Sequence, residues 1–184
     1  QADGAERAGL VTRYKTAKYS VERPLLLGSL LAAPVSVSGP VPFPAREGAL
    51  SAYGLAVGEA FQLRDDLLGA FGDPAVTGKP IGDDFREGKQ TLLMQYARRW
   101  VESRNGNAGN DRGLLEQVGT PALDEGGVSA LQDLLRRSGA CDAVEARIGA
   151  LTKAAQTDLR RAALSEGAEV ALHDLAARAA WRVS

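Results

Sequence analysis

The sequence predicts an all-α protein, and three observations support that fold class. Long stretches rich in Ala, Leu, Arg and Glu alternate with short clusters of Gly, Pro and Asn, a pattern typical of helices joined by turns. Apolar residues recur at helical spacing in the C-terminal third. Segments that alternate like a half-buried strand are few. The clearest of them, residues 35–41, lies among four prolines and is predicted to be a loop.

The composition narrows the class of protein further. The chain has 184 residues, of which 45% are apolar and 24% charged, and a formal net charge of −1. These values predict one ordinary folded domain with no basic surface for nucleic acid. Because Cys141 and His173 are single, a disulfide within the chain and a cysteine or multi-histidine metal site are excluded. No apolar run is long enough to predict a membrane span.

The first half of the chain is predicted to contain three helices and two loops. The second helix begins at Pro24, which suits a first helical turn, and the third ends at Gly72, where Asp73-Pro74 follows as a stop signal. The predicted helices cover about residues 4–20, 24–33 and 45–71, and the loops cover 33–44 and 73–83.

The second half is predicted to be helical as well. A helix over about 88–103 is followed by a loop over 104–113, and later breaks are expected at Thr120-Pro121, Ser138-Gly139 and Gly167. Two apolar stripes at helical spacing predict core faces. They consist of Val144, Ile148, Leu151 and Ala155, and of Leu131, Leu134 and Leu135.

Residues 61–91 carry the most informative chemistry. Asp65 and Asp66 are adjacent on an otherwise apolar helix, and Gln62 stands three residues earlier on the same face. An unpaired buried charge is costly, so this pair is predicted to have a partner. Magnesium is the natural cation for carboxylate oxygens and is often shared with a substrate phosphate. The alternative is a solvated acidic pair on the surface.

Downstream, two lysines lie beside glycines in a loop of mixed charge. Lys79 follows Gly78, and Lys89 follows Gly88, with three acidic residues and an arginine between the two lysines. A polyanion held by magnesium on one side and by lysines on the other would suit this arrangement. The alternative is a solvated loop whose ion pairs contribute little.

These residues closely resemble a known motif. FQLRDDLLGAFGDPAVTGKPIGDDFREGKQT is similar to the second aspartate-rich region of the trans-isoprenyl (polyprenyl) diphosphate synthases. Upstream, Lys15-Thr16 with Tyr19, followed by Pro24-Leu25 and Gly28, resembles the Lys-Thr helix of the same family. The Asp-Asp-Leu-Leu-Gly form is most like bacterial geranylgeranyl diphosphate synthases.

The resemblance implies a fold and a reaction. The fold is the isoprenoid synthase helical bundle around a deep cavity. The reaction is the magnesium-dependent condensation of an allylic diphosphate with isopentenyl diphosphate by ionisation, condensation and elimination, here with a short-chain product such as geranylgeranyl diphosphate. A homodimer in the cytoplasm is also implied.

The resemblance also assigns roles to individual residues. Asp65, Asp66 and Asp84 would form the metal site, with Asp65 and Asp66 as magnesium ligands and Asp84 orienting Lys79 or a metal-bound water. The resemblance implies catalytic or substrate-binding roles for Lys15, Thr16, Tyr19, Phe61, Gln62, Lys79 and Lys89.

Two departures from the family pattern stand out. The third aspartate of the motif falls at Gly69, and no first aspartate-rich motif followed by paired arginines occurs in the chain. Residues 1–184 are therefore expected to be the C-terminal part of one polyprenyl synthase domain, inactive alone and with apolar helix faces exposed.

Two alternatives remain beside the synthase. The chain could be a non-catalytic subunit of a heteromeric prenyl synthase, although such a subunit has no chemical need for the retained lysines and aspartates. A terpene cyclase of the same fold fits less well, because Gly69 and Asp73 stand where those enzymes carry Ser or Thr and Glu.

Overall fold

A computed structural model describes residues 13–32, 43–78, 80–104 and 109–181. In these residues the chain forms ten helices and no strand, which confirms the all-α class. The first helix is wound as a π-helix. The helices are α1 (Arg13–Glu22), α2 (Arg23–Ala32), α3 (Phe43–Phe71), α4 (Pro74–Thr77), α5 (Asp83–Arg86), α6 (Leu92–Ser103), α7 (Gly109–Glu116), α8 (Glu125–Arg137), α9 (Ala140–Arg161) and α10 (Glu166–Ala180).

The long helix α3 ends where the sequence predicts. The backbone N–H of Gly72 donates to the carbonyl of Leu68 over 2.7 Å and closes the last turn. The segment 73–83, expected as a plain loop, contains the single-turn helix α4 and the start of α5. Asp73 caps α4 by accepting from the N–H of Ala75, with Pro74 in the first turn, so the stop signal of one helix also starts the next.

Three other boundaries differ from the expectation. α6 begins at Leu92 rather than 88, because the Thr91 hydroxyl accepts from the N–H of Met94 and caps the helix there. The expected loop 104–113 includes the first half of α7. Gly167 lies inside α10, and the break before that helix falls at residues 162–165, where Ala163 has a φ of 47°.

Part of the N-terminal prediction lies outside the described residues. The predicted helix 4–20 is described only from residue 13 onward, as α1, and 33–42 of the predicted loop 33–44 are not described. α2 starts one residue before the expected Pro24 and is in contact with α1.

The chain divides into two compact units. One contains Asp65–Ala146 and the other contains 13–64 with 147–181. In the first unit α6 contacts α7 and α8, and Leu131, Leu134 and Leu135 of α8 are fully buried. That apolar stripe is therefore confirmed as core.

The second unit has its own buried centre. Ala49 and Leu50 of α3 pack with Ala162, and half-buried leucines that include Leu172 surround them. Tyr53 is fully buried and its hydroxyl donates to the carbonyl of Leu172. Burial raises the pKa of Tyr53 to about 12. The other predicted stripe is confirmed as buried, with Val144 in the first unit and Ile148, Leu151 and Ala155 in the second.

α2 differs from these core helices. None of its residues is buried, and Leu27, Leu30 and Leu31 are largely exposed. An exposed apolar face, which the sequence predicts, is thus present on α2. In the described parts of the chain, every helix is too short or too polar to cross a bilayer.

Candidate functional site

The C-terminal half of α3 carries four of the predicted site residues. Leu63 and Leu67 are buried and hold this helix to the protein. Phe61, Gln62 and Asp66 are half-buried, whereas Asp65 is exposed. The Asp65 carboxylate therefore keeps water contact, as the alternative of a solvated acidic pair expects at this position, while Asp66 is partly covered. An exposed carboxylate at this point of α3 is accessible to a ligand.

Two contacts anchor the end of this helix. The Gln132 side chain donates through Nε2 to the carbonyl of Ala70 over 2.7 Å. The Arg136 guanidinium lies 4.8 Å from the centre of the Phe71 ring, within the range of a cation–π interaction. Sequence reasoning missed both residues because each lies more than sixty positions from its partner, where helical spacing carries no signal.

Asp84 and Lys89 form an ion pair downstream of α3. Asp84 is only 6% exposed, and its Oδ1 accepts from Nζ of Lys89. Lys89 also lies 3.0 Å from Oε2 of Glu87, while 42% of its side chain stays exposed. Burial alone would lower the pKa of Lys89, but hydrogen bonds to Asp84 and Glu87 outweigh burial and raise it above its ordinary value. The ammonium is therefore charged, held in place and open to solvent.

Backbone contacts at glycines hold this segment against the rest of its unit. Gly82 has a φ of +73°, and a Cβ there would lie 2.5 Å from Cγ1 of Val128. Gly88 has a φ of +69°, and a Cβ there would lie 3.1 Å from the Cα of Gly119. Gly119 in turn donates its N–H to the carbonyl of Phe85 over 2.9 Å. Gly119 and Val128 thus support the site without belonging to any predicted motif.

For most of the remaining predicted site residues, the structure does not describe the side chain. Tyr19 lies on α1 and is 79% exposed. Lys15 and Thr16 also belong to α1, but their side chains lie outside the described part of the structure, as does the whole of Lys79. The predicted roles of these four residues, and a relation between Asp84 and Lys79, stay predictions.

The described carboxylates suit a metal that is bound jointly by the protein and a substrate better than a metal bound by protein ligands alone. Among the described residues, no three His, Cys, Asp or Glu side chains converge as a metal cluster would require. Magnesium, however, is commonly bound by one or two carboxylates together with substrate phosphates and waters. Exposed Asp65 and its neighbour Asp66 fit that mode.

The described site can be compared with known proteins. A family model described as polyprenyl synthetase matches residues 6–117, more than half of the chain. The geranylfarnesyl diphosphate synthase of Aeropyrum pernix is 38% identical over 101 residues, which cover 55% of this chain and 29% of that protein. The (2E,6E)-farnesyl diphosphate synthase of Mycobacterium bovis is 39% identical over 116 residues, covering 61% of this chain and 29% of its own length.

The similarity to solved structures extends further along the chain. The crystal structure of geranylgeranyl pyrophosphate synthase from Corynebacterium glutamicum, complexed with isoprenyl diphosphate and magnesium, superposes with a TM-score of 0.83 at 37% identity. It covers 97% of this chain, and this chain covers 47% of it. The chain thus spans about half the length of that synthase. The residues that match the Aeropyrum pernix and Mycobacterium bovis synthases cover under a third of each of those proteins. The resemblance found in residues 61–91 is confirmed: the chain belongs to the polyprenyl synthetase family.

Proposed function

We propose that the protein acts as a trans-prenyl diphosphate synthase, condensing an allylic diphosphate with isopentenyl diphosphate to a short-chain product such as geranylgeranyl diphosphate. One observation carries the proposal. A synthase that holds isoprenyl diphosphate and magnesium matches 97% of this chain with a TM-score of 0.83, and the matched chain retains both adjacent aspartates and both loop lysines.

Lysines of the chain would supply the positive charge that a diphosphate requires. Lys89 offers a charged ammonium that two carboxylates hold in place and that remains partly exposed. Such a preorganised cation stabilises negative charge that develops on a departing diphosphate. Lys79 and Lys15 would add positive charge on the strength of the family resemblance.

Asp65 and Asp66 would hold magnesium. When bound, magnesium neutralises diphosphate oxygens and stabilises the leaving group as a Lewis acid. The aspartates themselves would orient the metal from a helix whose end is anchored by Gln132 and Arg136. Their place on a packed helix fixes the backbone from which both carboxylates extend, which favours a defined binding geometry.

The other assignments follow from the resemblance. Gln62 and Thr16 would lie near the reacting carbons, Phe61 would contact isopentenyl diphosphate, and Tyr19 would assist removal of the proton that follows condensation. Homodimerisation and a cytoplasmic location belong to the same proposal.

A segment exchange tests the function. Because this chain covers 47% of the Corynebacterium glutamicum synthase, it can replace the matching segment of that enzyme. With magnesium, isopentenyl diphosphate and an allylic diphosphate, we expect the chimera to form a longer prenyl diphosphate. Asp65→Asn should lower kcat by about 100-fold or more, since transition-state charge loses its support.

The matched control is Asp174→Asn, which changes an exposed carboxylate on α10 and should leave kcat unchanged. The 184-residue chain alone is expected to bind diphosphate without turnover, because it contains no first aspartate-rich motif. A chimera that folds but shows no turnover would favour the non-catalytic subunit instead.

A further inference from the structure

Two glycines of α3 lie directly against the backbone of α1. A Cβ placed on Gly58 would overlap the Cα of Ala17 and lie 2.7 Å from its Cβ. A Cβ placed on Gly54 would lie 2.8 Å from the Cα of Glu22. Glycine permits so close an approach because it has no side chain, and Ala17 is itself fully buried. The place of α1 on α3 therefore depends on the absence of side chains at both glycines.

A hydrogen bond joins the same two helices beside Gly54. Glu22, at the end of α1, is only 5% exposed, and its Oε1 accepts from the hydroxyl of Ser51. Ser51, Gly54 and Gly58 follow one another at spacings of three and four residues, so they share one face of α3. Separating a buried carboxylate from its donor is costly, and this bond therefore helps to hold α1 in register along that face.

The two glycine contacts define the direction and the register of α1. Ala17 meets Gly58 and Glu22 meets Gly54, so the two helices run antiparallel, and a step of five residues on α1 matches a step of four on α3. Hydrogen bonds join residues four apart in an α-helix and residues five apart in a π-helix. The π-winding of α1 therefore brings both of its contact residues to the face of α3 that carries the glycines.

Predicted site residues flank the contact at Gly58. The pair Lys15-Thr16 stands on α1 immediately before the residue that meets Gly58. On α3, Phe61 and Gln62 follow that glycine by three and four residues, which places them on the same face of the helix. Because the two helices are antiparallel, the backbone of α1 continues from the contact toward this part of α3.

We propose that Gly54 and Gly58 are positioning residues for the pair Lys15-Thr16, because they hold α1 against α3 in this antiparallel, π-wound register. The proposal rests on the proposed function in one respect, namely that Lys15 contacts the departing diphosphate. Both glycines act through α1. A side chain at either position would push α1 away from α3 or let it rewind as an α-helix, and the backbone of Lys15-Thr16 would shift relative to Gln62.

The first measurement follows α1 without any ligand. In the 184-residue chain, Gly58→Ala should lower the melting temperature by about 5 °C or more and remove the hydrogen-exchange protection of the α1 amides. Gly48→Ala is the matched control, because Gly48 lies in the same helix and a Cβ there has no neighbour within 4 Å. It should raise the melting temperature by about 2 °C, since alanine favours a helix more than glycine does, and leave the protection unchanged.

The second measurement separates substrate affinity from stability in the chimera with the Corynebacterium glutamicum synthase. Gly58→Ala should raise the KM for the allylic diphosphate about tenfold, as expected when a contact to a charged group is lost. The KM for isopentenyl diphosphate should change less than about twofold, because that diphosphate is not the departing one. A loss of folded protein alone would lower the apparent kcat and leave both KM values unchanged. Gly54→Ala guards against a Gly58→Ala protein that does not fold, since its Cβ meets α1 at a longer distance, and it should raise the same KM by a smaller factor.

A Lys15→Ala background tests whether Gly58 acts through Lys15. In that background, Gly58→Ala should change the KM for the allylic diphosphate less than about twofold, because the effects of residues that act through one another are not additive. The same comparison with Gly48→Ala should show no change in either background.

The outcomes distinguish this proposal from the proposed function. Stability and α1 protection in Gly58→Ala equal to those of Gly48→Ala would overturn it, and so would a loss of protection that leaves the KM for the allylic diphosphate unchanged. A rise in that KM undiminished by Lys15→Ala would overturn it as well. Loss of α1 protection in Gly58→Ala, together with a folded, unsubstituted chimera that shows no turnover, would support the placement of α1 by the glycines and contradict the proposed function.

Discussion

Helix α8 and the segment 82–89 are held in place by different means. α8 is fixed by side chains, since Leu131, Leu134 and Leu135 fill the interior of their unit. The segment 82–89 buries the side chain of Phe85 and, in addition, depends on missing side chains at Gly82 and Gly88, which approach their neighbours closely. The difference shows that the core of this protein tolerates loss of volume poorly, whereas its candidate site tolerates gain of volume poorly.

The largest effect is expected in the core. Leu134→Ala should lower the free energy of unfolding by about 2–5 kcal/mol, because it removes a fully buried side chain and leaves a cavity. Urea denaturation followed by circular dichroism measures this. Leu31→Ala is the control, since Leu31 is 80% exposed, and it should change stability by less than about 0.5 kcal/mol. Equal effects at the two positions would contradict the assignment of α8 to the core.

A smaller loss is expected when volume is added beside the site. Gly88→Ala combines an unfavourable positive φ with a Cβ 3.1 Å from the Cα of Gly119, and should cost about 2–3 kcal/mol. Gly78→Ala separates the two causes, because Gly78 has the same φ of +69° with no atom within 4 Å of a Cβ. It should cost about 1 kcal/mol. Thermal unfolding of both variants would show whether the contact adds anything to the backbone strain.

Loss of a helix cap is expected to lower the free energy of unfolding by a smaller amount. Asp124 accepts from the N–H of Gly127 over 2.7 Å at the start of α8, so Asp124→Ala should lower the free energy of unfolding by about 1 kcal/mol. Ser165 stands at the same position before α10, but its side chain makes no capping hydrogen bond. Ser165→Ala should therefore cost only a few tenths of a kcal/mol. A reversed order in denaturant titrations would show that the capping bond is not what stabilises α8.

The smallest effect is expected at a surface ion pair. Arg147 lies 2.7 Å from Oε1 of Glu59, and half of its side chain is exposed. Arg147→Ala should cost about 0.2–1 kcal/mol, because solvent screens the attraction and ordering the side chains opposes it. The loss should shrink at 1 M salt, where screening is stronger. A loss independent of salt would point to packing of the arginine stem as the cause.

Much of the fold followed from local chemistry. The helical class, the end of α3 at Gly72 and the two buried stripes depend on residues close together in sequence. The start of α6 was misplaced by four residues because the residue that caps the helix is Thr91, whose hydroxyl accepts from the N–H of Met94. The break near Gly167 was misplaced because a lone glycine is compatible with a helix interior.

The candidate site was only partly predictable. Asp65, Asp66 and Lys89 could be singled out from their types and spacing, since metal and diphosphate binding require such groups. Whether the pair is buried or solvated stayed open in the sequence, and the structure decides it, because α3 buries Leu63 and Leu67 and leaves Asp65 exposed. Nor could Gln132, Arg136 or Gly119 be found, as their partners are distant in the chain.

The sequence by itself determined the helices, the core stripes and the inventory of charged groups, because periodicity and residue type act over a few positions. Only the tertiary structure decided which of those groups meet. Gly69 interrupts the motif in the sequence, and in the fold it lies against the buried carboxylate of Asp84. That contact joins residues fifteen positions apart, and such a contact leaves no periodic signal in a sequence.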